Sequence, residues 1–184
     1  MSTERLSRAF ASTRAVLANI ERGQLDQQTP CQLWTVHQLI NHVVGAPRFA
    51  VHILETGARV DDDEDYAAGD YMGAYEKVSS EALAAFEAPG VMDKMVPMPF
   101  GEIPGSFLVT IMTTDQLTHG WDLARATGQS TDLEPELAEE LLAQAAVPDE
   151  FRGEEGKAPF GPRQEAPHGA TSADQLAAYL GRRL

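Results

Sequence analysis

The stretch "PGSFLVTIMTTDQLTHGWDLARATG", residues 104–128, has the residue spacing of one long helix in a helical bundle. A helix turns by about 100° per residue, so positions three, four and seven apart lie on one face. One face of this helix is apolar in its first half and polar in its second: Leu108, Ile111, Met112, Asp115, His119 and Asp122. An acid and an imidazole one turn apart on such a face are either a hydrogen-bonded packing pair or two ligands of a metal ion.

Helical spacing continues on both sides of this stretch. A first helix is predicted over residues 3–22. A second is predicted from Thr29 as N-cap and Pro30 as first helical residue to Thr56, with Pro47 bending or dividing it. A third helix is predicted to be capped by Asp70 and to end near Gly90, and residues 95–105 are predicted to form a Pro- and Gly-rich connection with short extended pieces. A fifth helix is predicted over 135–147. A capping box of Thr171 and Asp174 is predicted to open a last short helix. The pattern predicts an all-α fold, a four-helix bundle with additional short C-terminal helices.

Length and charge limit the classes of function. A chain of 184 residues is expected to form one domain, over residues 1–184. With 28 acidic and 14 basic residues, its net charge of -14 disfavours binding to nucleic acid and to anionic membranes. No apolar run approaches the length of about 18 residues that a membrane span needs, and the first residues lack the apolar core of a secretion signal. The single cysteine cannot form an internal disulfide, which is typical of a cytoplasmic protein.

A third metal ligand is predicted in the second helix, where only one of three histidines lies on the apolar face. His42 shares that face with Leu39, Ala46, Phe49 and Ile53. His37 and His52 fall on the polar side, with Asn41 and Arg48. Two ligands four residues apart on one helix and a third from another helix commonly form a metal site inside a bundle. Periodicity alone leaves the packing pair as the alternative to a metal site.

Three motifs carry a resemblance to a known family: "TPCQLWTVHQLINHVVG" (29–45), "DQLTHGWDLARATGQ" (115–129) and "LAAYLGRR" (176–183). Together they resemble the DinB-like superfamily, specifically its branch related to mycothiol-dependent maleylpyruvate isomerase, over nearly the whole chain. The resemblance implies a DinB-like four-helix bundle that binds a metal through His42, Asp115 and His119. The isomerase has a further C-terminal domain that helps complete its active site. This chain is expected to lack that domain, so the resemblance does not extend to maleylpyruvate isomerisation.

Other conspicuous residues are given their simplest interpretation. Asp122 either orients an imidazole as a hydrogen-bond acceptor or bonds to nearby backbone. Trp34 and Trp121 are interpreted as packing anchors. Cys31 is interpreted as a small buried hydrophobic residue, although a position near a helix N-terminus could lower the pKa of its thiol.

Two further features are expected to carry no site. The acidic residues 61–65 begin like a calcium loop, but Tyr66 replaces the required glycine and Met72 replaces the final glutamate. They are predicted to form a solvated loop that binds no calcium. His37, His52 and His168 are predicted to be surface or linker residues.

The sequence therefore favours a metal-dependent enzyme that acts with a low-molecular-weight thiol, as a mycothiol-type S-transferase or isomerase. Two histidines and one aspartate suit zinc first, with nickel or iron as alternatives. Mycothiol as cosubstrate follows from the resemblance alone, and no catalytic residue beyond the metal ligands can be named. The expected partners are a small-molecule substrate and mycothiol, and a homodimer is compatible with this interpretation. The alternative is a non-catalytic metal- or ligand-binding bundle, a sensor or a scaffold.

Overall fold

A computed structural model of the protein describes residues 2–31, 33–60, 63–154 and 157–184. Within these ranges the chain is mostly helical, which confirms the predicted fold class. The helices are α1 (Ser2–Leu17), α2 (Val36–Thr56), α3 (Tyr71–Glu87), α4 (Gly105–Ala126), α5 (Pro135–Gln144) and α6 (Ser172–Tyr179). The predicted connection contains a short antiparallel hairpin of β1 (Met95–Met98) and β2 (Gly101–Pro104).

The first four helices form the bundle. α1 packs mainly against α4 and α2 mainly against α3, and further contacts of α1 with α3 and of α2 with α4 close the arrangement. α1 and α4 lie close together at Gly120, where an added Cβ would lie 2.5 Å from Oγ1 of Thr13. The Thr13 hydroxyl donates to the Gln116 carbonyl across this contact, at 2.8 Å. The core between the helices is apolar and includes Leu6, Leu17, Leu39, Ile40, Ile53, Phe86 and Leu108.

The C-terminal helices form a second apolar cluster against the bundle. α5 and α6 pack on each other, and α6 also contacts α4. Trp121 is 1% exposed in this cluster, and its indole N–H donates to Asp174 Oδ1 at 2.8 Å. Trp121 is therefore a packing anchor, as predicted. None of the helices in the described part of the chain combines the length and the apolar character that a membrane crossing requires.

Most predicted helix signals are found where the sequence places them. Asp70 accepts from the backbone N–H of Gly73, Pro135 opens α5, and Thr171 forms a capping box with Asp174. The predicted start of the second helix is wrong, because α2 begins at Val36 and its N-cap is Thr35.

The reason for that error lies in the hydroxyl of Thr29. An N-cap side chain accepts a hydrogen bond from backbone N–H, whereas the Thr29 Oγ1 lies 2.9 and 2.8 Å from the carbonyl oxygens of Cys31 and Trp34. The hydroxyl therefore closes a turn before the helix. Thr35 and Gln38 supply the capping box of α2 instead.

Pro47 does not divide α2, which is helical from Val36 to Thr56. A proline has no N–H, so the carbonyl of Val43, four residues earlier, loses its helical partner. The side-chain amide of Gln116 on α4 donates to that carbonyl at 3.1 Å. The Tyr75 hydroxyl in turn donates to Gln116 Oε1 at 2.7 Å, so one buried network joins α2, α3 and α4 beside Asp115.

Candidate metal centre

Three predicted ligand residues lie together between α2 and α4. His42 Nε2 is 3.1 Å and His119 Nε2 is 3.5 Å from Asp115 Oδ1. One ligand atom from each residue lies within 4.8 Å of those of the other two. The side chains are 31% (His42), 23% (Asp115) and 10% (His119) exposed. The group is thus set into the bundle with one side open to solvent, an arrangement that could hold a metal ion.

The charges of this group are strongly coupled. Burial alone would raise the pKa of Asp115, but the positive charges that His42 and His119 carry when protonated outweigh it and lower that pKa to about 2. Burial disfavours the cation of His42, but the Asp115 carboxylate outweighs this and raises the pKa of His42. For His119 burial dominates, and its pKa is lowered. At neutral pH the centre therefore contains an ionised acid and a neutral His119, the protonation states that metal ligands require.

Asp122 fixes the tautomer of His119. Its Oδ2 lies 3.0 Å from His119 Nδ1, and its side chain is fully buried. Burial alone would raise the pKa of Asp122, but Arg182 outweighs it and keeps that pKa below its usual value. The ionised carboxylate accepts the Nδ1–H, which leaves the lone pair of Nε2 directed at Asp115. Of the two interpretations of Asp122, the one in which it orients an imidazole is confirmed.

Arg182 is the residue that the sequence interpretation missed. Its Nη2 lies 3.0 Å from Asp122 Oδ2 and its Nε 3.3 Å from Oδ1. The two residues are 60 positions apart, and no local pattern connects them. The only sequence signal was the closing "LGRR" of the family resemblance, which gave Arg182 no role.

Trp34 covers one side of the histidine pair. Its ring centroid is 4.6 Å from that of His42 and 5.7 Å from that of His119. It is a packing anchor, as interpreted, but one that packs on the candidate ligands and restricts their orientation. The turn closed by Thr29 brings it to this position.

Cys31 lies on the same turn and is closer to the centre than expected. It is partly exposed, so the interpretation as a buried hydrophobic residue is wrong. Its Sγ forms a second group of three potential ligand atoms with His119 and Asp122, also within 4.8 Å of one another. This second group is less suited to a cation because Asp122 already accepts from His119 and Arg182, and the guanidinium would repel a metal ion.

The acidic stretch is tied to α2 where the structure describes it. Asp65 Oδ1 lies 2.6 Å from His37 Nε2 and accepts from Asn41 at 3.1 Å. His37 thus has a carboxylate partner that the sequence did not reveal. Asp61 lies outside the described residues, and the described acids of the stretch form no group suited to a metal ion. The absence of calcium binding stays a prediction.

Comparison with known proteins identifies the family of the chain. The family model described as "Mycothiol maleylpyruvate isomerase N-terminal domain" matches residues 6–124. Two relatives, the uncharacterised proteins Rv0738 and MT0763 from two strains of Mycobacterium tuberculosis, are each 45% identical over 188 residues, covering 99% of this chain and 96% of theirs.

Solved structures show the same fold at low sequence identity. The crystal structure of the mycothiol-dependent maleylpyruvate isomerase is similar with a TM-score of 0.59 and 18% identity, over 78% of this chain and 68% of that one. The crystal structure of a histidine-to-alanine mutant of this isomerase is similar with a TM-score of 0.57 and 17% identity, over the same shares of the two chains. The family model confirms the resemblance to the branch related to mycothiol-dependent maleylpyruvate isomerase, and the shared helical fold is consistent with the DinB-like superfamily. The chain belongs to the mycothiol maleylpyruvate isomerase N-terminal domain family.

Proposed function

We propose that the protein is a metal-dependent enzyme acting with a low-molecular-weight thiol, and that His42, Asp115 and His119 hold its metal. The observation that carries the proposal is the approach of their three ligand atoms to within 4.8 Å. When neither imidazole is protonated, the buried carboxylate lacks a compensating positive charge, and a divalent cation bound by all three residues would supply it.

The chemistry of the donor set fits a catalytic metal. Two imidazole nitrogens and a carboxylate oxygen suit zinc first, with nickel or iron as alternatives. Three protein ligands leave an open coordination position, unlike the closed sets of structural zinc sites. When bound, such a metal lowers the pKa of a thiol at the open position and so supplies a nucleophilic thiolate at neutral pH.

The chain's own residues prepare that position. Asp122 keeps the proton of His119 on Nδ1, which leaves Nε2 free to bind. Trp34 packs against both imidazoles and excludes water from their covered side. His42 and Asp115 keep 31% and 23% of their side-chain surface exposed, so a thiol would approach past these two residues.

The thiol we propose is mycothiol, because the isomerase that shares the fold is described as mycothiol-dependent. The second substrate is a small electrophile whose identity the family membership does not specify. We also propose that the protein is cytoplasmic and that residues 1–184 form a single domain. A sensor or scaffold is the alternative function, and it is favoured by the pairing of Asp122 with Arg182 and His119, which leaves that acid no free oxygen for acid–base chemistry.

The test is the absorption spectrum of cobalt-loaded protein titrated with mycothiol. We expect a sulfur-to-cobalt charge-transfer band and a change in the visible bands. His42→Ala should abolish cobalt binding, and His52→Ala, which alters a partly exposed histidine of the same helix, should not. A cobalt spectrum that mycothiol leaves unchanged would favour the sensor or scaffold, and failure of the parent to bind cobalt would remove the basis of the proposal.

A further inference from the structure

We propose that Arg182 is a positioning residue for the metal centre, acting through Asp122 on the imidazole of His119. The inference rests on the proposed function, because it concerns the same centre. It assigns a role to a C-terminal residue that lies outside the segment matched by the family model, residues 6–124.

The contact between Arg182 and Asp122 holds the carboxylate at two points. Arg182 Nη2 to Asp122 Oδ2 is 3.0 Å and Nε to Oδ1 is 3.3 Å, so both carboxylate oxygens are engaged. The Arg182 side chain is 10% exposed and that of Asp122 is 0% exposed. A planar guanidinium bound in this way fixes the carboxylate plane as well as its position.

The same carboxylate holds the metal ligand. Asp122 Oδ2 lies 3.0 Å from His119 Nδ1, and it is also the oxygen that accepts from Arg182 Nη2. A fixed carboxylate therefore fixes the rotation of the imidazole, and with it the direction of the His119 Nε2 lone pair towards Asp115. Residues that hold a metal-binding histidine in this way are needed for full metal affinity.

The end of α6 is built to deliver Arg182. Gly181 has a φ of 97°, in the left-handed region, and the backbone N–H of Arg182 donates to the Ala177 carbonyl at 2.9 Å. The turn packs so tightly that a Cβ on Gly181 would lie 2.6 Å from the Cα of Gly161. The reversal is therefore specified by glycine, and it directs the side chain of Arg182 to α4 rather than to solvent.

Removing Arg182 would leave Asp122 as a buried carboxylate without a cation, which is costly. The carboxylate would then gain from rotating towards water, and His119 would lose its fixed orientation. Substitutions of such outer residues typically weaken metal affinity by about 10- to 100-fold.

The experiment measures the zinc dissociation constant of the full chain by competition with a chromophoric chelator. We expect Arg182→Ala and Arg182→Gln to weaken binding by about tenfold or more, and Arg182→Lys to restore part of it. Arg183→Ala, at the exposed arginine next in the chain, is the matched control and should bind zinc as the parent does. Should Arg182→Ala fail to fold, the longer neutral side chain of Arg182→Gln decides the outcome. The visible spectrum of the cobalt-loaded Arg182 variants should also change, since the orientation of His119 sets the ligand field.

A double-mutant cycle tests the route through Asp122. In an Asp122→Asn background, where the charged contact is already lost, Arg182→Gln should weaken zinc binding no further. Additive losses would mean that Arg182 acts elsewhere and would overturn the inference. The inference would also be overturned if Arg182→Ala or Arg182→Gln had a zinc dissociation constant within about twofold of the parent's. If the parent itself binds no zinc, the proposed function fails as well. If the parent binds zinc and the neutral Arg182 variants bind it equally well, only the inference about Arg182 fails.

Discussion

Replacing His119 by alanine should remove metal binding without unfolding the protein. His119 is one of three candidate ligands. Its loss leaves His42 and Asp115, whose Nε2 and Oδ1 atoms are 3.1 Å apart. A metal that binds only the folded state stabilises it by about 2.7 kcal/mol at a hundredfold excess over its Kd. The bundle itself buries a large apolar core without metal, so the variant is expected to remain folded.

The effect on melting temperature follows from the size of the chain. For a protein of 184 residues, 1 kcal/mol corresponds to about 2–4 °C. Addition of a chelator to the zinc-loaded parent should therefore lower its Tm by about 5–11 °C. The Tm of His119→Ala should be insensitive to zinc and to chelator. Comparing each protein with itself cancels any change in packing caused by the substitution.

The assay is thermal unfolding followed by circular dichroism in zinc-buffered solution, with and without chelator. His52→Ala is the control, because this histidine lies on α2 outside the candidate centre and should respond to chelator as the parent does. A parent whose Tm is unchanged by chelator, with no metal bound after purification, would show that Asp115 and His119 are only a packing pair. A chelator response retained in His119→Ala would show that the metal binds elsewhere.

Three further predictions follow from the contacts around the centre. Zinc affinity should rise with pH, because the raised pKa of His42 means that a proton must leave before metal binds, while Asp115, with a pKa of about 2, stays ionised. The affinity is measured by chelator competition between about pH 5 and 8, a range that extends about one to two units either side of the usual histidine pKa. A zinc affinity that does not change over this range would exclude His42 as a ligand. Gln116→Leu should lower the free energy of unfolding by about 1–3 kcal/mol in urea, since the Val43 carbonyl and the Tyr75 hydroxyl lose their partner; a neutral effect would contradict the network. Zinc should slow the alkylation of Cys31, whose Sγ lies within 4.8 Å of ligand atoms of His119 and Asp122; equal rates in zinc and in chelator would contradict that proximity.

The sequence was informative where structure depends on local spacing. Periodicity predicts which face of a helix is buried, and it put His42 on the inner face of α2 and Asp115 and His119 on that of α4. The caps at Asp70 and Thr171 were likewise predicted, because a capping side chain bonds to backbone only a few residues away.

What the sequence did not reveal depends on contacts between distant segments. The partner of Asp122 is one of 14 basic residues, and nothing local distinguishes Arg182 from Arg183. The predicted start of α2 is wrong because the hydroxyl of a threonine before a proline can either cap a helix or close a turn. The exposure of Cys31 depends on that turn, so its environment was mispredicted for the same reason.

X-ray absorption at the zinc edge, recorded with and without mycothiol, shows which side chains hold the metal and whether the thiol binds to it. We expect nitrogen and oxygen ligands from His42, Asp115 and His119 at about 2.0–2.1 Å from the zinc, with one sulfur added at about 2.3 Å when mycothiol is present. A sulfur already in the shell without added thiol would assign the metal to Cys31, His119 and Asp122 instead. A shell unchanged by mycothiol would contradict the proposed role of the thiol.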